Sequence, residues 1–263
     1  MPKVTIDGTV VEVEQGQAVL DAVRKAGIWL PTLCYNPAIS SSGACRICTV
    51  ELDRGEWRQL ITACNYPVRR DIKISVTSEK AVSARKGIME LLLARSEESE
   101  ELKALAAKMG ISGTPYPKVT ESLRNCILCG LCTKVCEEVI GCSAISFVGR
   151  GIDRSVAPPF RLASEDCIAC GACAYICPVS TIRIRLHEET GEIEISPFKT
   201  KVKLLKCSSC GRDLISAPLM TYLKKRDKAK FSLEEFKNVE TLCPVCKRKK
   251  TAAKLAVTAG DKG

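Results

Sequence analysis

A chain of 263 residues has room for two or three domains, and 5% aromatic content leaves only small cores. Seventeen cysteines are far more than an ordinary enzyme carries. With no apolar run near about 18 residues and no basic-then-apolar start, we expect neither a membrane span nor a secretory leader. We therefore expect a cytoplasmic protein, in whose reducing compartment clustered cysteines bind metal rather than form disulfides. The formal charge of +10 counts every cysteine as neutral. Four sites of four thiolates each carry about −2 apiece when loaded, so the holo chain is only slightly basic. The surplus Lys and Arg then balances metal centres, and no nucleic-acid partner is expected.

Residues 1–78 open with Val4 to Val13, two β-rich runs about an Asp7-Gly8 turn, a strong hairpin signal. Val19, Leu20, Ala22 and Val23 then mark one amphipathic helix, Gln17 to Lys25, ended by Gly27. Cys34, Cys45, Cys48 and Cys64 follow at C-x10-C-x2-C-x15-C spacing, with further strand-like runs at 48–53, 58–63 and 72–77. A hairpin, one helix and more strands around four cysteines is the layout of a β-grasp ferredoxin domain holding a 2Fe–2S cluster. Its first gap is longer than the plant-type C-x4-C. A zinc site is the alternative, but it usually takes two CxxC pairs and this set has one.

The longer gap has a resemblance of its own. Leu30-Pro31-Thr32-Leu33-Cys34, Gly43-Ala44-Cys45-Arg46-Ile47-Cys48 and Thr62-Ala63-Cys64 resemble the N-terminal part of the large iron–sulfur subunit of complex I. They also resemble the diaphorase small subunit of NAD-linked hydrogenases and formate dehydrogenases, some of which are electron-bifurcating. In that family a helix and a cluster bound by one His and three Cys come next. The helix is recognisable as Arg85 to Arg95, but no cysteine lies between Cys64 and Cys126, and the single histidine is His187. Residues 79–120 therefore read as a helical linker without that cluster. An acidic helical segment runs to about Lys108, and Gly110, Gly113, Pro115 and Pro117 break structure after it.

Residues 121–198 hold Cys126, Cys129, Cys132 and Cys136, then thirty residues later Cys167, Cys170, Cys173 and Cys177-Pro178. This is the C-x2-C-x2-C-x3-C run of a bacterial-type ferredoxin, twice, where the fourth cysteine of each run ligates the other cluster. One 4Fe–4S cluster is expected on Cys126, Cys129, Cys132 and Cys177, and the second on Cys136, Cys167, Cys170 and Cys173. Strand-like pieces at 143–148 and 181–186 follow each run, suggesting a pseudo-twofold repeat, and Glu189 to Glu192 reads as a hairpin turn. Cys142 fits no set and reads as a small buried hydrophobe, and His187 as a surface residue in a charged turn.

Residues 199–263 carry Cys207, Cys210, Cys243 and Cys246 as two CxxC knuckles, a zinc-ribbon-like module with a helical stretch near Leu219 to Lys225. A further Fe–S cluster uses the same ligands and is the alternative. The basic run 247–250 reads as solvated, and the last dozen residues as poorly ordered.

The expected class is α+β, loaded with one 2Fe–2S cluster, two 4Fe–4S clusters and one zinc. There is no G-x-G-x-x-G, phosphate loop, triad or carboxylate pair, so no catalytic residue is assigned, and NAD and flavin would bind elsewhere. The resemblance implies a non-catalytic subunit of a multi-subunit oxidoreductase. It would relay single electrons between a flavin-bearing NADH dehydrogenase subunit and a hydrogenase or formate dehydrogenase subunit, with ferredoxin as a third partner in bifurcating relatives. A freestanding polyferredoxin carrier is the alternative.

Overall fold

The computed structural model describes residues 1–119, 125–226 and 242–260. The chain forms two compact units. One comprises residues 1–141, 146–156 and 173–181, the other residues 142–145, 157–172 and 182–263.

The first unit begins with β1 (Lys3–Ile6) and β2 (Thr9–Glu12), paired antiparallel about the Asp7-Gly8 turn. Both turn residues have positive φ, 46° and 95°, as a tight hairpin demands. Helix α1 (Val19–Lys25) and three strands follow: β3 (Thr49–Asp53), β4 (Arg58–Thr62) and β5 (Ile72–Ser75). The sheet order is β2-β1-β5-β3-β4, with β1 and β5 parallel and the other pairs antiparallel. Strand alternation sends Val4, Ile6 and Ile74 to one face, where α1 supplies Val19, Leu20, Ala22 and Val23, all buried.

Helix α2 (Glu79–Arg95) starts six residues before the expected Arg85. The reason is local: the Ser78 hydroxyl accepts from the Ala81 N–H, satisfying one orphan donor of the first turn. Ser99 caps α3 (Glu100–Lys108) in the same way through Leu102 N–H, so the acidic segment is helical from Glu100 on, with Glu97 and Glu98 in the turn before the cap. The four-residue helix α4 (Leu131–Lys134) runs into a π-helical turn, Val135–Ile140, closed by Gly141 at φ 76°. Residues 120–124, at the expected boundary between linker and two-cluster domain, lie outside the described residues.

The two strand-like pieces after the cysteine runs do not play equivalent roles. The first shortens to β6 (Ser146–Val148) and pairs with β7 (Ser155–Ala157). The second, β8 (Arg183–His187), opens an antiparallel meander with β9 (Glu192–Ser196), β10 (Thr200–Lys206) and β11 (Asp213–Ser216), in the order β11-β10-β9-β8. The cause is the hairpin at Thr190-Gly191, which lets β8 pair with the strand after it. That sheet runs through position 198, so the C-terminal module shares it with the preceding residues. The short α5 (Ala172–Tyr175) follows the second cysteine loop, and α6 (Ala217–Arg226) realises the helix expected near Leu219. Helix α7 (Pro244–Gly260) takes in most of the last dozen residues, and residues 261–263 of that stretch lie outside the described residues. Its Ala- and Lys-rich composition favours helix. Cys142 is half-buried rather than buried, on the chain's exit from the Gly141 cap. His187 ends β8 rather than sitting in a turn, with its Nε2 2.8 Å from Glu194.

Candidate metal centres

The loop between α1 and β3 carries Cys34, Cys45 and Cys48, and Cys64 follows β4. All four are no more than 5% exposed. The loop is drawn onto the Cys64 segment at one point. A Cβ on Gly43 would stand 2.7 Å from Asn65 Nδ2 and 3.0 Å from Thr62 Oγ1, and its φ is 63°, so only glycine fits. Arg46 also takes positive φ, 61°, and Cys45 N–H donates to Cys34 Sγ at 3.4 Å. Bonds from the Cys45 and Cys64 thiols pull Cys34 down to about 2, and the bond with Cys64 pulls Cys48 down to about 7. The donors Cys45 and Cys64 move up in return. Four sulfurs thus meet in an apolar place, and part of the set favours the charged form. That donor set fits a small cationic iron centre.

The two cysteine runs share a backbone signature. Leu128 and Gly130 have φ of 51° and 78°, and Ala169 and Gly171, at the matching positions, 52° and 76°. Each loop therefore turns twice through the left-handed region between its ligand positions. In the first loop, burial pushes Cys126 and Cys132 up and Cys129 up to about 12. The nearby Cys177 charge adds to all three shifts. Residues 173–181 belong to the same compact unit as the first loop, and the Cys173 charge adds to the Cys132 shift as well. Buried thiols that resist ionisation when bare fit a site where iron supplies the opposing charge. Cys136 lies in the π-helical turn, Cys173 on α5, and Cys167 and Cys170 on the loop before it, all half-buried.

In the C-terminal module, Cys207 and Cys210 form the turn of the β10–β11 hairpin. Cys207 N–H donates to Arg212 O at 2.8 Å and Gly211 N–H to Cys207 O at 2.9 Å. The second knuckle opens helix α7 rather than a second hairpin. The four sulfurs of Cys207, Cys210, Cys243 and Cys246 all lie within 4.8 Å of one another, and Cys210 Sγ is 3.7 Å from Cys243 Sγ. Cys243 N–H donates to Cys207 Sγ at 3.3 Å, and Cys246 N–H to Cys243 Sγ at 3.4 Å. Such backbone bonds hold Cys207 down at about 6 and lower Cys243, while bonds with the other thiols contribute to lifting Cys210 to about 11.

Between the end of α2 and the first dicluster loop, polar side chains tie the chain together. Arg95 Nε donates to Cys126 O at 2.7 Å, and the fully buried Ser96 donates to Asn125 O at 2.9 Å. Glu98 exchanges two bonds with the Asn125 side chain, and Ser180 donates to Glu101. Sequence reading missed Asn125, whose role depends on partners 27 to 56 residues away.

Residues 2–79 match the 2Fe-2S iron-sulfur cluster binding domain, and residues 125–181 match the 4Fe-4S dicluster domain. The chain is 34% identical over 173 residues to the NADPH-Fe(3+) oxidoreductase subunit alpha of Geobacter sulfurreducens, a match covering 57% of this chain and 20% of that one. It is 32% identical over 194 residues to the NADP-reducing hydrogenase subunit HndD of Solidesulfovibrio fructosivorans, covering 63% and 33%. Against the NADH-ubiquinone oxidoreductase 78 kDa subunit of Candida albicans it is 27% identical over 178 residues, covering 59% and 24%. The match thus spans a fifth to a third of the length of these relatives. A chain of the NAD+-reducing [NiFe]-hydrogenase in the H2-reduced state superposes with TM-score 0.59 at 25% identity, covering 68% of this chain and 85% of that one. Through its two iron–sulfur domains, the chain resembles the iron–sulfur subunits of NAD(P)-linked hydrogenases and of complex I.

Proposed function

We propose that the chain is an electron-relay subunit without a substrate site of its own. It would pass single electrons between a flavin-bearing NAD(H) dehydrogenase subunit and a terminal hydrogenase or formate dehydrogenase subunit. The observation that carries this reading is three cysteine loops inside two matched iron–sulfur domains. Cys34, Cys45, Cys48 and Cys64 hold the 2Fe–2S cluster. Cys126, Cys129, Cys132 and Cys177 hold one 4Fe–4S cluster, and Cys136, Cys167, Cys170 and Cys173 the other. When bound, the clusters supply one-electron exchange, and the chain's residues hold them, exclude water and compensate their charge.

Cys207, Cys210, Cys243 and Cys246 hold a single zinc ion with a structural role. Two thiolates about 2.3 Å from a tetrahedral zinc stand about 3.8 Å apart, close to the 3.7 Å between Cys210 and Cys243. A 4Fe–4S cube places irons and sulfides between its thiolates and holds them farther apart.

The test is anaerobic purification from native extract, with metals counted per chain. About ten irons and one zinc, co-eluting with a flavoprotein and a terminal oxidoreductase, are expected. About fourteen irons without zinc would overturn the C-terminal assignment. Elution as a lone 28.6 kDa chain would overturn the subunit reading in favour of a free carrier.

A further inference from the structure

The ten residues between Cys34 and Cys45 are more than a plant-type loop uses. Ser40, in that stretch, reaches the helix after the first dicluster loop. Its N–H donates to Glu138 Oε2 at 2.7 Å and its hydroxyl to Glu138 Oε1 at 2.5 Å. Lys134 Nζ donates to both the carbonyl and the hydroxyl oxygen of Ser40, each at 2.8 Å, and lies 3.9 Å from Glu138. Lys134 closes α4 beyond Cys132, and Glu138 lies two residues beyond Cys136 in the π-helical turn. One serine therefore ties the first cysteine loop to the segment carrying two dicluster cysteines.

A second tie runs along α2. Arg85, 8% exposed, donates to Thr49 O at 2.8 Å, one residue past Cys48, and to Val76 O at 2.7 Å. Ten residues on, Arg95 donates to Cys126 O at 2.7 Å. Ten residues of helix are a rod about 15 Å long. One rigid element thus touches a ligand-bearing loop at each end. Neither tie is needed to close a cysteine set, since their side chains bond carbonyls and Ser40 rather than sulfur.

We propose that the Ser40–Lys134–Glu138 latch and the Arg85–Arg95 strut form a cross-brace that fixes the separation between the centre at Cys34–Cys64 and the centre at Cys126–Cys132, making Ser40, Glu138 and Arg95 positioning residues for electron exchange between them. The inference rests on the cysteine assignments above. An exposed ion pair alone is worth little, but here three donors converge on two acceptor residues, and a buried helix arginine backs them.

The experiment uses the full chain, purified anaerobically and reduced, in wild-type, Glu138→Ala, Glu138→Gln and Arg95→Met forms. Iron per chain and the individual cluster signals test the cysteine assignments. Magnetic interaction between the two reduced centres, read as splitting and faster spin relaxation in electron paramagnetic resonance, tests the brace. At unchanged iron content, Glu138→Ala should lose most of the splitting, with Glu138→Gln recovering part because its amide oxygen still accepts from Ser40. Splitting and relaxation unchanged in Glu138→Ala would overturn the proposal. Arg95→Met should weaken the same interaction. If that variant loses iron, the Glu138 pair decides alone, since the Glu138 carboxylate meets Ser40 and Lys134.

Discussion

The two cysteine runs have the same spacing and the same left-handed turns, yet they sit in different surroundings. In the first, Ile127, Cys129, Leu131, Cys132 and Val135 are buried. In the second, Cys167, Cys170 and Cys173 are half-buried, Ala172 replaces Leu131 at the matching position, and Tyr175 is 95% exposed. The covers differ too. Gly130 lies under the Phe147 ring, with 3.3 Å from a built Cβ to Cζ, whereas Gly171 lies under the Ile184 side chain, itself 45% exposed. Spacing decides what a loop can bind, and its neighbours decide how dry the bound group is. Dryness and local charge set a cluster's potential and its resistance to attack. The first loop offers the drier surroundings and the second the wetter ones.

The comparison breaks most severely at the ligands. Cys132→Ser and Cys170→Ser should each lose about four irons per chain. Cys132→Ser should lower the melting temperature more, because it leaves a polar group in a site of 8% exposure. Equal melting temperatures would show that the two environments do not differ energetically. Air should sharpen the contrast. About four of the eight dicluster irons should be released first, with the fast phase belonging to the half-buried site. A single phase covering all eight would remove the distinction.

The glycines give a smaller effect. Alanine at φ 78° or 76° should cost roughly 1–2 kcal/mol at either position. Gly171→Ala also brings a Cβ to 2.7 Å from Ile184 Cδ1, and Ile184→Val deletes that carbon. Melting curves should therefore show Ile184→Val relieving part of the loss in Gly171→Ala and none of the loss in Gly130→Ala.

What the sequence revealed was local. Cysteine spacing is a property of a few residues of chain, so it can be read without tertiary knowledge, as can the Asp7-Gly8 turn and the α1 face. The start of α2 was equally local, in Ser78 followed by a helix-forming run. The fate of the strand-like pieces was not local. Nothing within 143–148 states that β6 will take β7 as partner, and nothing within 181–186 states that β8 will join a four-stranded meander. The latch spans 94 and 98 residues between partners, and its only trace is the length of the Cys34–Cys45 gap. Left-handed φ at Leu128 and Ala169 was also hidden, because neither residue type advertises it.

The smallest effect bears on what keeps the first loop dry. The Arg154 guanidinium lies 4.3 Å from the centre of the Phe147 ring, whose carbons stand 3.3–3.4 Å from the built Gly130 Cβ. The cation packs over the ring, and the edge of the ring covers the Gly130 turn. Arg154→Ala should cost about 0.5–1 kcal/mol of stability, as a partly exposed cation–π contact does. It should release no iron, since no cysteine moves. It also removes a positive charge near the first loop, and positive charge favours the more negative, reduced form of a cluster. A redox titration followed by electron paramagnetic resonance should therefore show one dicluster potential falling and the other staying in place. Arg154→Lys should keep the charge and with it most of the potential. If both potentials fall together, the arginine acts on the molecule's overall field rather than on the first loop, and the Phe147 cover does not distinguish the two sites.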